Sequence, residues 1–226
     1  MGWNRVSRAG LVRRLAAALV AGSVLSAAGC AYLDVKQREW IFRAQRDVAA
    51  MPSDYGLKYE EVWLTVPGDR EGARERVYAW WIPGPDAQAP ALLYLHGARW
   101  SLSNNLFRIQ RLQRMGFAVL AIDYRGFGKS DGDLPSEQMA YEDARAAWQW
   151  LIARQPDPKR RFIYGHSLGG AVAIDLAASV APTGPHARGL VERLGEARRN
   201  EAIGFSVHDE HGNPDGLDLP DRIELL

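Results

Sequence analysis

The chain has 226 residues, of which 47% are hydrophobic and 24% are charged, as in an ordinary globular protein. This composition excludes a wholly disordered chain, a collagen-like chain and a membrane protein with many spans. The formal net charge of +1 provides no electrostatic field that would favour nucleic acid. A single cysteine excludes an internal disulfide and a cysteine-rich zinc site.

The N-terminus has the pattern of an export signal. Met1–Arg14 carries four arginines and no acidic residue, and the apolar or small stretch Leu15–Ala28 follows it. Fourteen residues are fewer than the roughly 20 that a membrane-spanning helix needs. The stretch leads into Ala27-Ala28-Gly29-Cys30, which resembles the lipobox of bacterial lipoproteins except that Ala27 replaces the usual Leu. The resemblance implies lipidation of Cys30 and, with Ala31 after it, sorting to the outer membrane facing the periplasm. An ordinary cleaved signal or an uncleaved anchor are the alternatives.

The elements that follow predict an α/β protein with a mostly parallel sheet and an antiparallel start. Residues 31–51 have helical spacing of apolar residues, and Pro52 can end that helix. Two strands, 57–67 and 76–83, are joined by a hairpin loop. Next come strands at 91–95, 118–122 and 161–164, and helices at 103–115, 141–153 and 168–180. Such sheets bind their ligands at the carboxyl ends of the strands.

The strongest chemical motif is Gly165-His166-Ser167-Leu168-Gly169, which fits the pattern G-x-S-x-G. A predicted strand leads into it and a predicted helix leads out, which is the context of a nucleophile elbow. The helix N-terminus behind Ser167 offers N–H groups to a developing oxyanion. The alternative is a glycine-rich turn with an incidental serine.

Two further motifs follow buried strands. His96-Gly97-Ala98 comes directly after the strand 91–95, and on its own His96 indicates a structural hydrogen-bonding residue. The glycine-rich stretch from Asp123 to Gly132 follows the strand 118–122. It lacks the spacing of a phosphate-binding loop, so we expect it to shape the wall of a site.

These three motifs, in this order, resemble the α/β-hydrolase superfamily, and most closely its serine-aminopeptidase-like and monoacylglycerol-lipase-like group. The resemblance covers about 57–190 and implies the α/β-hydrolase fold, with helices on both faces of the sheet. It also implies that Ser167 is the nucleophile and that the backbone N–H groups of Ala98 and Leu168 form the oxyanion hole. A histidine base and an acid complete the family's machinery. No metal and no organic cofactor are implied.

The rest of the chain departs from the family pattern. Only 59 residues follow Ser167, and 191–226 contains a single aromatic residue. Asp215 is a weak candidate for the acid, but no histidine follows it and the base is unidentified. His186, His208 and His211 lie out of the family's order, and the pair His208 and His211 lacks convergent partners for a metal site.

The sequence therefore predicts four segments and one leading function. The four segments are a lipoprotein signal at 1–29, a tether with a lead-in helix at 30–56, the hydrolase core at 57–190 and an atypical tail at 191–226. Disorder is one interpretation of the tail. We hypothesise that the chain is truncated or frame-shifted shortly after residue 190. The leading function is a membrane-tethered serine hydrolase of the bacterial envelope that acts on an ester, thioester or amide. The alternative is a non-catalytic envelope lipoprotein or an inactive fragment. A third hypothesis is an enzyme that uses the same fold for transacylation or oxidation. The substrate, within the class of small acyl or peptidyl compounds, and the oligomeric state are not indicated by the sequence.

Overall fold

The structure is a computed structural model, and it describes residues 8–68, 70, 72–180 and 202–206. Two compact units can be distinguished, one formed by 1–41 and the other by 42–226. The hypothesis of a truncation and the predicted tail fall largely outside the described residues.

The described residues of the first unit form one helix, α1, which runs from Arg8 to Ile41 without a break. The sequence between the predicted signal and the predicted lead-in helix contains no proline, and alanine-rich segments favour continuous helix. Within α1, the stretch Val12–Ile41 is long and apolar enough to cross a membrane, a property that export signals near an N-terminus share.

The lead-in helix does not reach Met51 as predicted, because α1 ends at Ile41 and 42–51 is not helical. Phe42 is buried in the core of the second unit. The N–H of Arg43 donates to the backbone of another segment, the carbonyl of Ala98, at 3.0 Å. These tertiary interactions replace the i to i−4 bonds that a helix would form, so the helical spacing of apolar residues was misleading here.

The second unit is built on a six-stranded sheet with the order β1-β2-β4-β3-β5-β6. Its strands are β1 (Glu60–Pro67), β2 (Arg74–Ile82), β3 (Ala91–Leu95), β4 (Ala118–Asp123), β5 (Arg161–His166) and β6 (Ala202–Ser206). The pairs β1–β2 and β2–β4 are antiparallel, whereas β3 pairs in parallel with both β4 and β5. The predicted α/β fold with an antiparallel start is therefore confirmed. The sheet is mixed, because β3, β4 and β5 are parallel while the pairs β1–β2, β2–β4 and β5–β6 are antiparallel.

Strand β6 lies in the segment for which the sequence analysis predicts no strand. It pairs with β5 in antiparallel orientation, with Ile163 opposite Phe205. Its sequence, Ala-Ile-Gly-Phe-Ser, has no continuous apolar run, so pairing with a neighbour rather than local pattern accounts for the strand.

Helices cover both faces of the sheet. They are α2 (Leu106–Arg114), α3 (Glu137–Arg154) and α4 (Leu168–Val180), with short 3₁₀ turns at Pro52–Tyr55, Leu102–Asn105 and Pro158–Arg160. Two apolar clusters form, one against α3 and α4 and the other against α2. The predicted helix 103–115 begins instead as a 3₁₀ turn, where the side-chain amide of Asn105 bonds to Ser101 and to the Tyr94 hydroxyl. Strands β3 and β5 run parallel, so their carboxyl ends meet at one edge, and that edge carries the motifs.

Candidate active site

Ser167 occupies a sharp turn between β5 and α4. Strand β5 ends at His166 and α4 begins at Leu168, so Ser167 alone connects them. Its φ is +55°, a left-handed backbone conformation that is uncommon for a residue with a side chain. The side chain is exposed, and the Ser167 carbonyl accepts the N–H of Gly170 at 2.9 Å. The turn therefore presents a hydroxyl to solvent at the N-terminus of a helix, which is the geometry of a nucleophile elbow.

Glycines permit the close approach of α4 to the sheet. A Cβ atom added at Gly165 would lie 2.2 Å from the carbonyl oxygen of Gly169. A Cβ added at Gly169 would lie 2.1 Å from the carbonyl oxygen of Leu95. Backbone atoms cannot yield as a flexible side chain could, so these two positions require glycine for the turn to keep its shape.

The loop after β3 packs against the turn. A Cβ added at Gly97 would lie 3.2 Å from the Cβ of Ser167, so the Gly97 backbone contacts the serine directly. Ala98 follows it and is half-buried. On the other side, Leu168 is the first residue of α4, where N–H groups lack partners within the helix. The structure thus places both predicted oxyanion donors on segments that adjoin Ser167.

His96 and Asp123 form a buried pair beneath this loop. The Nδ1 of His96 donates to the Gly97 carbonyl at 2.7 Å, and Nε2 lies 3.5 Å from Oδ1 of Asp123, beyond ordinary hydrogen-bond length. That same oxygen accepts the backbone N–H of Leu102 at 2.8 Å. The two nitrogens of His96 lie against the Gly97 carbonyl and the Asp123 carboxyl, which agrees with the structural role predicted for this histidine.

Burial pushes each member of the pair toward its neutral form. It lowers the pKa of His96 to about 4, although the bond to the Gly97 carbonyl opposes this. It raises the pKa of Asp123 to about 7, although the bond from the Leu102 N–H opposes this. The role of the Asp123 carboxyl was not predicted, although an acidic residue at the end of an otherwise apolar strand was an available signal.

The loop after β4 is fixed by a buried cation. Arg125 is only 1% exposed, and its Nε donates to Asp143 at 2.7 Å. The same guanidinium donates to Glu142 and Glu75 and to the carbonyl of Pro67. Ser130 further ties the loop to β4, because its Oγ donates to the Asp123 carbonyl at 2.6 Å. The glycine-rich stretch is thus a rigid structure bound to its surroundings by charged hydrogen bonds.

The structure does not bring a general base to Ser167 within the described residues. His166 is bonded by the guanidinium of Arg108, with 3.1 Å between Nη2 and Nε2. His186, His208, His211 and the candidate acid Asp215 lie outside the described residues. Cys30 is exposed on α1. No group of three or more potential metal ligands occurs in the described part of the chain.

Comparison with known proteins agrees with the fold. A family model described as serine aminopeptidase, S33, matches residues 86–191. A lysophosphatidylserine lipase from Danio rerio is 35% identical over 128 residues, which is 54% of this chain and 32% of that protein. A multifunctional-autoprocessing repeats-in-toxin protein from Vibrio vulnificus is 36% identical over 128 residues, which is 56% of this chain and 2% of that protein.

Solved structures give the same result. An esterase from Pyrococcus furiosus superposes with a TM-score of 0.51 and 29% identity, covering 61% of this chain and 51% of that one. An α/β hydrolase from Vibrio vulnificus has a TM-score of 0.51 and 23% identity, covering 75% of this chain and 69% of that one. The chain thus spans about a third of the lipase and about half of the esterase. The chain therefore has the α/β-hydrolase fold, and over part of its length it is similar to proteins described as an esterase and a lipase.

Proposed function

We propose that the protein is a serine hydrolase that cleaves an ester, thioester or amide through an acyl-enzyme on Ser167. The observation that carries this proposal is the exposed Ser167 hydroxyl on a left-handed turn between β5 and α4. A strained backbone at an exposed, potentially nucleophilic residue is typical of a functional site.

In this mechanism the Oγ of Ser167 attacks the acyl carbon and forms a new C–O bond. The carbonyl oxygen becomes an oxyanion, which accepts hydrogen bonds from the N–H groups of Ala98 and Leu168. The Ser167 proton passes to a histidine base, which then protonates the leaving alcohol, thiol or amine as its bond to carbon breaks. Water hydrolyses the acyl-serine by the reverse transfers, releasing a carboxylic acid and restoring the hydroxyl.

The base in this scheme comes from outside the described residues, since both described histidines are engaged elsewhere. Asp215 remains the candidate for the acid that orients it. The similarity to a lipase and to an esterase favours an oxygen ester of a small acyl compound as the substrate. No cofactor is needed, because every step is a proton transfer or an acyl transfer.

The test is labelling of the full chain with a fluorophosphonate, which modifies only an activated serine. We expect labelling of the natural chain and none of Ser167→Ala. Ser179→Ala is the matched control, because Ser179 is exposed near the other end of the same helix. Absence of labelling in a folded sample would refute the mechanism and favour the non-catalytic scaffold. Labelling that persists in Ser167→Ala would assign the nucleophile elsewhere.

We further propose that α1 tethers the protein to the bacterial envelope, through a lipid on Cys30 and at the outer membrane. The alternative is an anchor that crosses the membrane. It is supported by the helix continuing past Cys30, which leaves Leu15–Leu33 helical and uncharged. At 1.5 Å per residue this stretch is about 28 Å long, close to the hydrocarbon thickness of a bilayer.

A comparison of the natural chain with Cys30→Ser separates the two anchors. Metabolic labelling with a fatty acid that is lost in Cys30→Ser, together with release from the membrane, would support the lipoprotein. Membrane retention of Cys30→Ser with no fatty-acid labelling of either chain would support the spanning helix. Recovery of the natural chain in the soluble fraction would refute both.

A further inference from the structure

The residues that follow α1 form a non-helical segment, Phe42–Met51, which we call the strap. Phe42 is buried in the apolar cluster that α3 and α4 cover, and Ala44 packs against the same cluster. Val48 and Met51 pack against the other cluster, which α2 covers. The strap therefore passes from one face of the sheet to the other. Its contacts on the way involve both loops that frame the site.

The first loop, Gly97–Ser101, is bonded to the strap at two points. The backbone N–H of Arg43 donates to the carbonyl of Ala98 at 3.0 Å, and Arg43 forms a parallel bridge with Arg99. The Oγ of Ser101 donates to the carbonyl of Asp47 at 2.9 Å. The strap thus holds both ends of the segment that begins with the proposed oxyanion donor.

The second loop, which follows β4, is bonded by the same few residues. The N–H of Gly128 donates to the carbonyl of Gln45 at 2.8 Å. The guanidinium of Arg46 donates to the carbonyls of Ser130 and Gly132. One short segment thus joins two loops that are separated in the chain by β4 and α2.

A strained residue lies between the two bonded points of the first loop. Trp100 has φ of +66°, which is a genuine outlier for a bulky residue. Its side chain is 51% exposed, so packing of the indole does not account for the strain. Strained residues persist only where their surroundings hold them. Here the strap bonds to Ala98 and Ser101 provide that restraint.

We propose that the strap is a positioning element for acyl transfer, and that the Arg43 N–H, by holding the Ala98 carbonyl, restrains the residue whose own N–H is the proposed oxyanion donor. This inference rests on the proposed function, because it assigns a purpose to the strap in that reaction. Donors that are already oriented need no reorganisation when the charge develops, so their alignment affects the rate more than substrate binding. The Arg43 backbone and the Arg46 side chain act through the loops and are positioning groups, not catalytic ones.

The main test compares two variants at one position in the full chain, solubilised in a mild detergent. Arg43→Pro removes the backbone N–H, while Arg43→Ala keeps it and removes only the side chain. With p-nitrophenyl butyrate as the probe, we expect Arg43→Pro to lower kcat about tenfold with little change in KM, since misalignment removes part of a donor's contribution. Arg43→Ala should retain the natural kcat and KM.

Amide hydrogen exchange provides a readout that does not depend on activity. We expect residues 98–102 to exchange faster in Arg43→Pro than in Arg43→Ala, while β3 and β4 keep their protection. If Arg43→Pro fails to fold, Arg46→Ala provides a second test. We expect it to lower kcat and to make the backbone amides of 128–132 exchange faster. Arg46→Lys should restore part of both, because an ammonium can still donate to the carbonyls.

The outcomes are distinct. Equal kcat and equal exchange in Arg43→Pro and Arg43→Ala would overturn the proposal, and so would an equal loss in both variants, which would assign the effect to the side chain. If the natural chain neither hydrolyses the ester nor reacts with a fluorophosphonate, the proposed function fails. The exchange data would still decide separately whether the strap orders the loop.

Discussion

The backbone conformation of Ser167 leads to a prediction about stability that is opposite to the usual effect of glycine. A left-handed conformation costs a residue with a Cβ atom about 1–2 kcal/mol. Glycine avoids this cost, but it loses about 0.5–1 kcal/mol more conformational entropy on folding. With φ of +55° at Ser167, the difference favours glycine by about 1 kcal/mol. We therefore expect Ser167→Gly to be more stable than Ser167→Ala, although both lack the hydroxyl.

The comparison of these two variants isolates the contribution of backbone conformation to stability, because neither variant retains the Oγ. Neither variant should react with a fluorophosphonate. Thermal unfolding in the same detergent measures the difference, and about 1 kcal/mol corresponds to roughly 2–4 °C in a protein of this size. The control is Ser179, which lies in the last turn of α4. There Ser179→Gly should be the less stable variant, by up to about 1 kcal/mol, because the backbone is right-handed helix.

The reasoning is refuted if Ser167→Ala is as stable as Ser167→Gly, or more stable. Such a result would mean that the turn does not hold Ser167 in the left-handed region. If the glycine variant is more stable than the alanine variant at both Ser167 and Ser179, the reasoning is also refuted. Such a result would show that the assay does not report local backbone conformation.

Three further predictions concern the surroundings of the turn. Gly169→Ala should destabilise the protein by at least about 2 kcal/mol in a urea titration, because its Cβ would lie 2.1 Å from the Leu95 carbonyl oxygen. A variant as stable as the natural chain would contradict this packing. Arg125→Met should lower the free energy of unfolding by about 3–5 kcal/mol in the same titration, since it leaves Asp143 buried without its cation. The double variant Arg125→Met with Asp143→Leu should recover much of that loss. Absence of recovery would show that the unpaired charge is not the cause. For Asp123, the folded protein retains its proton up to a pKa of about 7, whereas the unfolded chain loses it near 3.8. The free energy of unfolding of the natural chain, relative to that of Asp123→Asn, should therefore fall by about 1.4 kcal/mol per pH unit as pH rises from about 4 to about 7. Above that range the difference should stay level. A constant difference from about pH 4 to about pH 7 would contradict the raised pKa of Asp123.

Much of the sheet could be predicted because its strands have a local signal. The run Ala-Leu-Leu-Tyr-Leu at 91–95 is apolar without alternation, as expected for a strand covered on both faces, and β3 has those bounds. The same holds for β4, which the structure extends only to Asp123. Helix α4 also begins and ends as predicted, because the glycine-rich turn marks its start. The sharp turn at Ser167 was therefore predictable as a structure, since all of its determinants lie within a few residues.

The features that the sequence did not reveal depend on residues distant in the chain. The strap has helical spacing of its apolar residues, yet it is not helical, and its backbone bonds to Ala98 and Gly128 instead. The interaction of His96 with Asp123 joins two strand ends that are 27 positions apart. Neither arrangement leaves a periodic signal in one segment, so only the assembled sheet could show them.

The two sides of the candidate site are held by different kinds of force, and this affects how each should respond to change. Around Ser167, backbone contacts at Gly165 and Gly169 leave no room for a Cβ, so the turn is fixed by steric exclusion that neither salt nor pH alters. The loops after β3 and β4 are fixed instead by polar bonds, among them those of the strap and of Arg125. Polar bonds add modest net stability but impose strict geometry. Loosening them should therefore displace the Ala98 N–H, the proposed oxyanion donor on the loop after β3, while the turn persists. The proposed activity should then be lost before the fold is.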